Sequence, residues 1–435
     1  MRATRRPASR IGAARSCTRA RTSSTPRCRP KRGPGCAGSS ERVASNPRVG
    51  AGAGRRRPAT GPPCPRHVRV CRCAPTAASH TLGAVKTYRI ALYPGDGIGT
   101  EVVSATTAVL DTVASQGGGF SLAYESFDWG MTHYEAHGRV APDDFLATLR
   151  RFDAIFLGAV GWPARLPDHV TLAPLIRMRQ AFDLYACVRP ARTFPGVAGP
   201  LRRTEPIDVV VVRENSEGEY VDNGGVVAMG SPQEVAVQTA IHTRRGVERI
   251  LRFSFDLART RRRKLTMITK SNAQRYAYVL WDRVLQEIAP DYVDVETDKL
   301  HIDAATLELV RRPHTFDVIV GSNLFGDILS DLTGGVTGSL GLNPSANLNP
   351  ERTFPSLFEP VHGSAPDIAG KGIANPTGAL LSGAMMLEWL GQTTSAARMR
   401  QAVERALAAG HATPDIGGAL TTTQFTDAVV ANLVP

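Results

Sequence analysis

Apolar and polar residues change rhythm repeatedly between residues 86 and 435. Five runs, "TYRIALY", "FDAIFLG", "IDVVVVR", "KLTMIT" and "FDVIVG", are nearly all apolar over six or seven residues. A strand with one wet face would alternate, so continuous runs predict strands buried on both faces of a mainly parallel sheet. Between them, "TRRGVERILRFSFDLARTR" and "NAQRYAYVLWDRVLQEI" repeat apolar residues at helical spacing and predict amphipathic helices. The alternation of the two rhythms predicts an α/β protein. Each run ends in polar or glycine-rich sequence, "PGDGIG", "AVGWP", "RENSEGEY", "KSNAQ" and "SNLFGD". Ligands of open α/β sheets bind beyond the carboxyl ends of strands, so the chemistry is expected there.

Composition divides the chain in two. Residues 1–85 hold 19 Lys and Arg against one acid, Glu41, and show no apolar periodicity. The remaining 33 basic and 38 acidic residues give the body a net charge of −5, although the whole chain carries +13. The first segment is read as a disordered basic leader, joined to an extension of the coding sequence upstream of Val85. A transit peptide for an organelle and a basic arm for nucleic acid are the alternatives, and Cys64, His67, Cys71 and Cys73 match no common zinc spacing. Only Cys187 lies in the body, which fits a reducing, cytoplasmic setting. No apolar run approaches the roughly 18 residues of a membrane span.

Two stretches suggest ligands. In "GDGIGTE", Gly95, Gly97 and Gly99 follow a strand and open a helix, as in a dinucleotide loop, but a tight turn needs such glycines without any ligand. In "GSNLFGDILSD", a helix beginning near Phe325 would set Asp327 and Asp331 on one face. Two close carboxylates raise each other's pKa unless a cation neutralises them, and Mg²⁺ or Mn²⁺ is the natural oxygen-liganded ion. Spacing alone also allows an Asp at a helix N-terminus and a second facing solvent.

The blocks "PGDGIGTEVV", "RENSEGEY", "ITKSN", "HIDA", "SNLFGDILSDL" and "FEPVHGSAPDIAGKGIANPTGALL" together resemble the β-decarboxylating dehydrogenases, the isocitrate and 3-isopropylmalate dehydrogenase family. The resemblance covers essentially all of residues 86–435. "LGAVGWP" followed by "PDHVTL" is similar to the tartrate and D-malate branch, although "LAPLIRMR" lacks the tryptophan expected there. The resemblance implies two α/β lobes with a mixed, mainly parallel sheet that is not a Rossmann domain. Lobe 1 would run from about 86–185 plus 335–435, and lobe 2 from about 186–334, including an arm within "NSEGEYVDNGGVVAMGSPQEVAVQ" that clasps a second subunit.

The implied reaction is oxidative decarboxylation of a 2-hydroxy dicarboxylic acid, D-malate to pyruvate and CO₂, and/or oxidation of tartrate, with 3-isopropylmalate as the alternative. The implied cofactors are NAD and Mg²⁺ or Mn²⁺, with a monovalent cation such as K⁺ as a further candidate. Arg179, Arg189 and Arg213 match the substrate arginines, although Arg177 competes with Arg179 for the first place. Guanidinium forks suit a dianion. Lys270 matches the base for the C2 hydroxyl, Tyr220 the acid that protonates carbon after CO₂ leaves, and Asp303, Asp327 and Asp331 the metal ligands. Lys270 and Asp303 would come from the second subunit of a homodimer. His362, Gly363, Ser364 and Ala365 match the adenosine loop, with Asn375 nearby and Asp367 at the ribose. NADP-using relatives tend to carry Lys-Tyr in place of Asp367 and Ile368, so NAD is expected.

Overall fold

Valine fills the centre of the sheet. In the computed structural model, which describes residues 85–433 apart from 118, 203 and 204, the run at 208–214 is a strand whose five residues Val209–Arg213 are buried on both faces. Each such valine contributes about 1.5–3 kcal/mol by leaving water. The strands in chain order are β1 (Lys86–Gly95), β2 (Phe120–Ser126), β3 (Ala154–Ala159), β4 (Ala186–Arg192), β5 (Asp208–Glu214), β6 (Gly224–Val227), β7 (Val235–Gln238), β8 (Lys264–Thr269), β9 (Glu296–His301), β10 (Val318–Gly321), β11 (Pro344–Leu348) and β12 (Ser356–Pro360).

Ten of them form one sheet in the order β2-β1-β3-β12-β11-β4-β5-β10-β8-β9. β2, β1, β3 and β12 are parallel to one another, as are β5, β10, β8 and β9. β11 and β4 join the halves through three antiparallel pairings. This order differs from the 3-2-1-4-5-6 of a Rossmann domain. One half therefore draws its strands from both ends of the body and the other from its middle.

The predicted helices form as Arg244–Arg259 and Ala277–Ile288, each burying its apolar stripe. They pack on each other and, with Asn323–Thr337, flank the β5–β9 half. Gly99–Ser115, Thr377–Trp389, Thr393–Ala408 and Thr422–Ala431 flank the other half. Among the described residues no helix is long and apolar enough to cross a membrane. The leader and its alternatives fall on residues 1–84, outside the described residues.

β6 and β7 form a separate two-stranded ribbon, anchored to the body by the backbone pairing of Gly218 with Ile241. Every residue of both strands is exposed, and the ribbon carries Val226, Val227, Val235, Val237 and Met229 outward. An isolated ribbon of two strands is marginal in water, and apolar residues on both strands call for a cover.

Candidate active site

The ends of β5 and β10 put the first residues in place. Arg213, the penultimate residue of β5, is only 1% exposed. The helix Asn323–Thr337 crosses directly above it, because a side chain at Gly326 would sit 2.5 Å from the Arg213 Cβ. Ser322 caps this helix by accepting from the Phe325 amide, so the helix starts two residues earlier than the apolar pattern suggests. Asn323 Oδ1 accepts from Arg213 Nε and Nη2 at 2.9 and 2.6 Å, and Arg213 Nη1 donates to Asp327 Oδ1.

Arg189 reaches the same carboxylate from the middle of β4. Its Nη1 donates to Asp327 Oδ1 and to Ser330 Oγ, at 2.9 and 2.8 Å. Arg179, from the helix Ala173–Ala181, donates at 2.9 Å to Glu359 Oε1, which also takes the Asn347 amide at 2.8 Å. Arg177 turns away and stacks over the Phe145 ring, so of the two arginines it is Arg179 that lines the cleft. Tyr220 donates to Asp327 Oδ2 at 2.7 Å, and its ring lies under the Arg213 guanidinium.

These five residues, with Glu359, His362 and Gly363, line one cleft of about 200 Å³ whose other wall is Leu172, Leu175 and Ile176. A larger groove of about 400 Å³ opens on the opposite face of β4, beside Val188, Pro190 and Arg192. Its arginines Arg192, Arg261 and Arg400 are already paired with Glu404, Asp208 and Glu388. Charge chemistry, not volume, therefore locates the site.

The groups hold distinct protonation states. Burial raises the Asp327 carboxyl, but Arg213, Arg189 and the Tyr220 hydroxyl outweigh it and leave its pKa below the usual carboxylate range. Burial, then the facing Asp327 charge, push the Tyr220 phenol up to about 12. Burial lowers Arg213 to about 10, against the pull of Asp327, so it stays charged near neutrality. Asp331, one turn along the same helix, is raised by desolvation and by Asp327, with Arg189 opposing.

No donor among the described residues makes a hydrogen bond to the Asp331 carboxylate, whereas both Asp327 oxygens are engaged. An unpartnered carboxylate beside an anchored one fits a divalent cation. The expected third ligand does not join them within one chain. Asp303 pairs instead with Lys270, and among the described residues no three His, Cys, Asp or Glu side chains converge as a metal site. The reason lies in the strand order: Lys270 follows β8 and Asp303 begins the helix after β9, and β9 is three strands from β5, roughly 14 Å at the usual strand spacing.

The glycine loop is occupied by the protein itself. Asp96, only 4% exposed, accepts from the Met131 and Gly161 amides at 2.7 and 2.8 Å and so ties the turn after β1 to the segments that follow β2 and β3. Gly97 has a positive φ of 56°, and a side chain there would collide with the Ser364 carbonyl, which accepts from the Ile98 amide at 2.9 Å. No anion cradle remains at that turn.

The residues expected to form an adenosine loop follow β12. His362 Nδ1 lies 2.9 Å from the Gly363 carbonyl, and its buried Nε2 has no partner. Burial holds its pKa below the ordinary histidine value. Ser364 is buried, Ala365 adopts φ 39°, and Asp367 is exposed on the segment leaving the cleft. Asn375 is buried and donates to Asp415 at 3.1 Å while accepting from the Thr377 amide. Glu359, Asn323 and Ser330 were not singled out from the sequence. A lone acid in the buried run "LFEP" was the available signal for Glu359.

Residues 89–429 match the isocitrate/isopropylmalate dehydrogenase family model. A probable tartrate dehydrogenase/decarboxylase of Agrobacterium vitis is 51% identical over 349 residues, covering 79% of this chain and 97% of the relative. The D-malate dehydrogenase (decarboxylating) of Escherichia coli is 50% identical over 357 residues, with 79% and 98% covered. The crystal structure of isocitrate dehydrogenase from Methylococcus capsulatus superposes with a TM-score of 0.73 at 38% identity, covering 80% of this chain and 99% of that one. With its cleft of arginines and carboxylates, the chain belongs to the isocitrate/isopropylmalate dehydrogenase family and is a decarboxylating dehydrogenase.

Proposed function

We propose that the enzyme catalyses NAD- and divalent-metal-dependent oxidative decarboxylation of a 2-hydroxy dicarboxylic acid, D-malate or tartrate. The observation that carries this reading is the convergence of Arg179, Arg189 and Arg213 in one cleft against Glu359 and Asp327, with the Asp331 carboxylate one helical turn further along. Three guanidiniums face three carboxylates, so a dianion and a divalent cation could enter together without leaving net charge in the cleft. Relatives about half identical to this chain support it: they are named probable tartrate dehydrogenase/decarboxylase and D-malate dehydrogenase (decarboxylating).

When bound, NAD supplies the hydride acceptor and the divalent cation the charge that steadies oxygen at C2. The arginine forks bind and orient the carboxylates. Lys270, brought with Asp303 by a second copy of the chain, takes the proton of the C2 hydroxyl. Tyr220 keeps its own proton against Asp327 until the carbon left by departing CO₂ presents a stronger base, and then delivers it from the hydroxyl oxygen. The apolar faces of β6 and β7 are covered by that second copy, and His362 to Ala365 with Asp367 and Asn375 hold the adenosine end of NAD.

The apolar wall of Leu172, Leu175 and Ile176 beside Arg179 favours one second reading, 3-isopropylmalate, whose alkyl branch needs such a surface. NAD reduction with Mn²⁺ on D-malate, L- and meso-tartrate, 3-isopropylmalate and isocitrate decides between them. The highest kcat/KM is expected on D-malate or a tartrate; a 3-isopropylmalate preference transfers the assignment to the second reading, and no NAD reduction on any of the five rejects both.

A further inference from the structure

Tyr220 must meet a carbon atom at a set distance from the cation-facing carboxylates, yet it lies on an irregular segment between β5 and the ribbon. What fixes that segment is its neighbour. Glu219 Oε1 accepts from the Tyr278 hydroxyl at 2.6 Å and from the Ser322 hydroxyl at 3.0 Å, and its Oε2 accepts from the Leu324 amide at 3.1 Å. Ser322 is the cap and Leu324 the second residue of the helix that carries Asp327 and Asp331. The Glu219 carboxylate thus occupies the positive end of that helix and satisfies an amide with no partner inside it.

The surroundings hold Glu219 in this role. Tyr278 is fully buried and stacks on Phe325. Trp281 Nε1 donates to His242 Nδ1 at 3.1 Å, so a neutral His242 carries its proton on Nε2, which lies 4.0 Å from Glu219 Oε1 without a hydrogen bond. Asn323 Nδ2 donates to the Glu217 carbonyl at 2.9 Å, a second tie between the same two segments. The chain from 217 to 220 is therefore fastened to the first turns of the helix at successive points, the last being Tyr220 on Asp327 itself.

We propose that Glu219 is a positioning residue that clamps the segment bearing the proton donor Tyr220 onto the amino terminus of the helix bearing Asp327 and Asp331. The acid and the carboxylates then keep one separation through turnover. This rests on the proposed function for the role of Tyr220, but the clamp itself is a property of the protein without ligands.

Two variants test it, Glu219→Gln, which keeps the shape and removes the charge, and the milder Tyr278→Phe, which removes one donor. Amide hydrogen exchange of the unliganded protein should accelerate together in residues 218–221 and 322–327. With substrate, kcat should fall by about ten-fold in the first variant and about three-fold in the second, with KM for NAD within about two-fold. The solvent deuterium effect on kcat should rise, because proton delivery becomes slower while hydride transfer does not. Unchanged exchange in both segments overturns the clamp. Faster exchange with kcat lowered but an unchanged solvent effect assigns Glu219 a merely structural role and overturns the positioning. A wild-type enzyme inactive on every 2-hydroxy acid defeats the proposed function instead, while coupled exchange in the two segments still supports the clamp.

Discussion

Arg213 and Asp327 of the arginine cleft belong to the same half of the sheet as the Lys270–Asp303 corner, yet the two places differ in burial and in partners. Arg213 is buried and Asp327 half-buried, and each is hydrogen-bonded to side chains from other elements. Lys270 and Asp303 sit beside the outermost strands, Asp303 with 68% of its side chain exposed, and they have essentially each other. A buried charge that loses its partner is costly, whereas an exposed pair contributes little to stability. The cleft side chains are thus held by contacts within the chain, whereas the corner is a solvent-exposed ion pair.

The sharpest way to break this contrast is Asp327→Asn. It removes the negative charge that Arg189 and Arg213 face and turns one of the two acceptor oxygens into a donor amide, so turnover should fall by about a thousand-fold or more and Mn²⁺ affinity with it. Near-normal turnover and Mn²⁺ binding by electron paramagnetic resonance would return Asp327 to a purely structural role.

The corner is tested by complementation. Chains with Lys270→Ala and chains with Arg213→Ala should each be inactive, yet after subunit exchange about a quarter of wild-type activity should return, since half the dimers are mixed and each then holds one intact site. Heterodimers confirmed by mass spectrometry but without activity would show that the corner does not complete the cleft.

Asp367 is exposed like Asp303 but belongs to the segment that follows the cleft's own wall. Its charge should oppose the 2′-phosphate of NADP, and even a third of the roughly 4 kcal/mol repulsion at about 4 Å gives about ten-fold discrimination. Asp367→Ala should narrow the ratio of kcat/KM for NAD over NADP by about that factor; an unchanged ratio removes Asp367 from the ribose.

The smallest effect is in stability against pH. Both Asp327 and Asp303 have depressed pKa values, Asp327 through Arg213 and Arg189 despite burial, Asp303 through its hydrogen bond with Lys270. A depressed carboxylate stabilises the fold above its unfolded pKa, about 3.9, and loses that contribution as pH falls through the folded value. The difference in melting temperature between wild type and Asp327→Asn should thus be full above pH about 4 and close below it. Asp303→Asn should show little difference at any pH; a gap as wide as that of Asp327→Asn would erase the distinction between cleft and corner.

Legibility followed range of interaction. The runs that became β1, β3, β5, β8 and β10 were readable because burial on both faces leaves a continuous apolar signature. The helices at 244–259 and 277–288 were readable from one buried stripe. β9, "ETDKLH", was not, since an edge strand can be polar, and β11 and β12 were hidden because "PSANL" and "SLFEP" bury Asn347 and Glu359 in place of apolar side chains. Those two acquire strand structure from their neighbours, and their polar atoms are tolerable only because Arg179 and Asn215 meet them there.

By itself the sequence determined the fold class and singled out Arg179, Arg189, Arg213, Tyr220 and Asp327, which line one cleft, since these depend on local periodicity and on side-chain chemistry. Only the tertiary structure decided that Arg179 and not Arg177 enters the cleft, that the glycine loop is filled by Ser364, and that Asp303 stands apart from Asp327 within a chain. Each of these turns on which distant segment arrives at a given surface. Backbone approach and strand order are set by the packing of the whole sheet, and no window of neighbouring residues contains them.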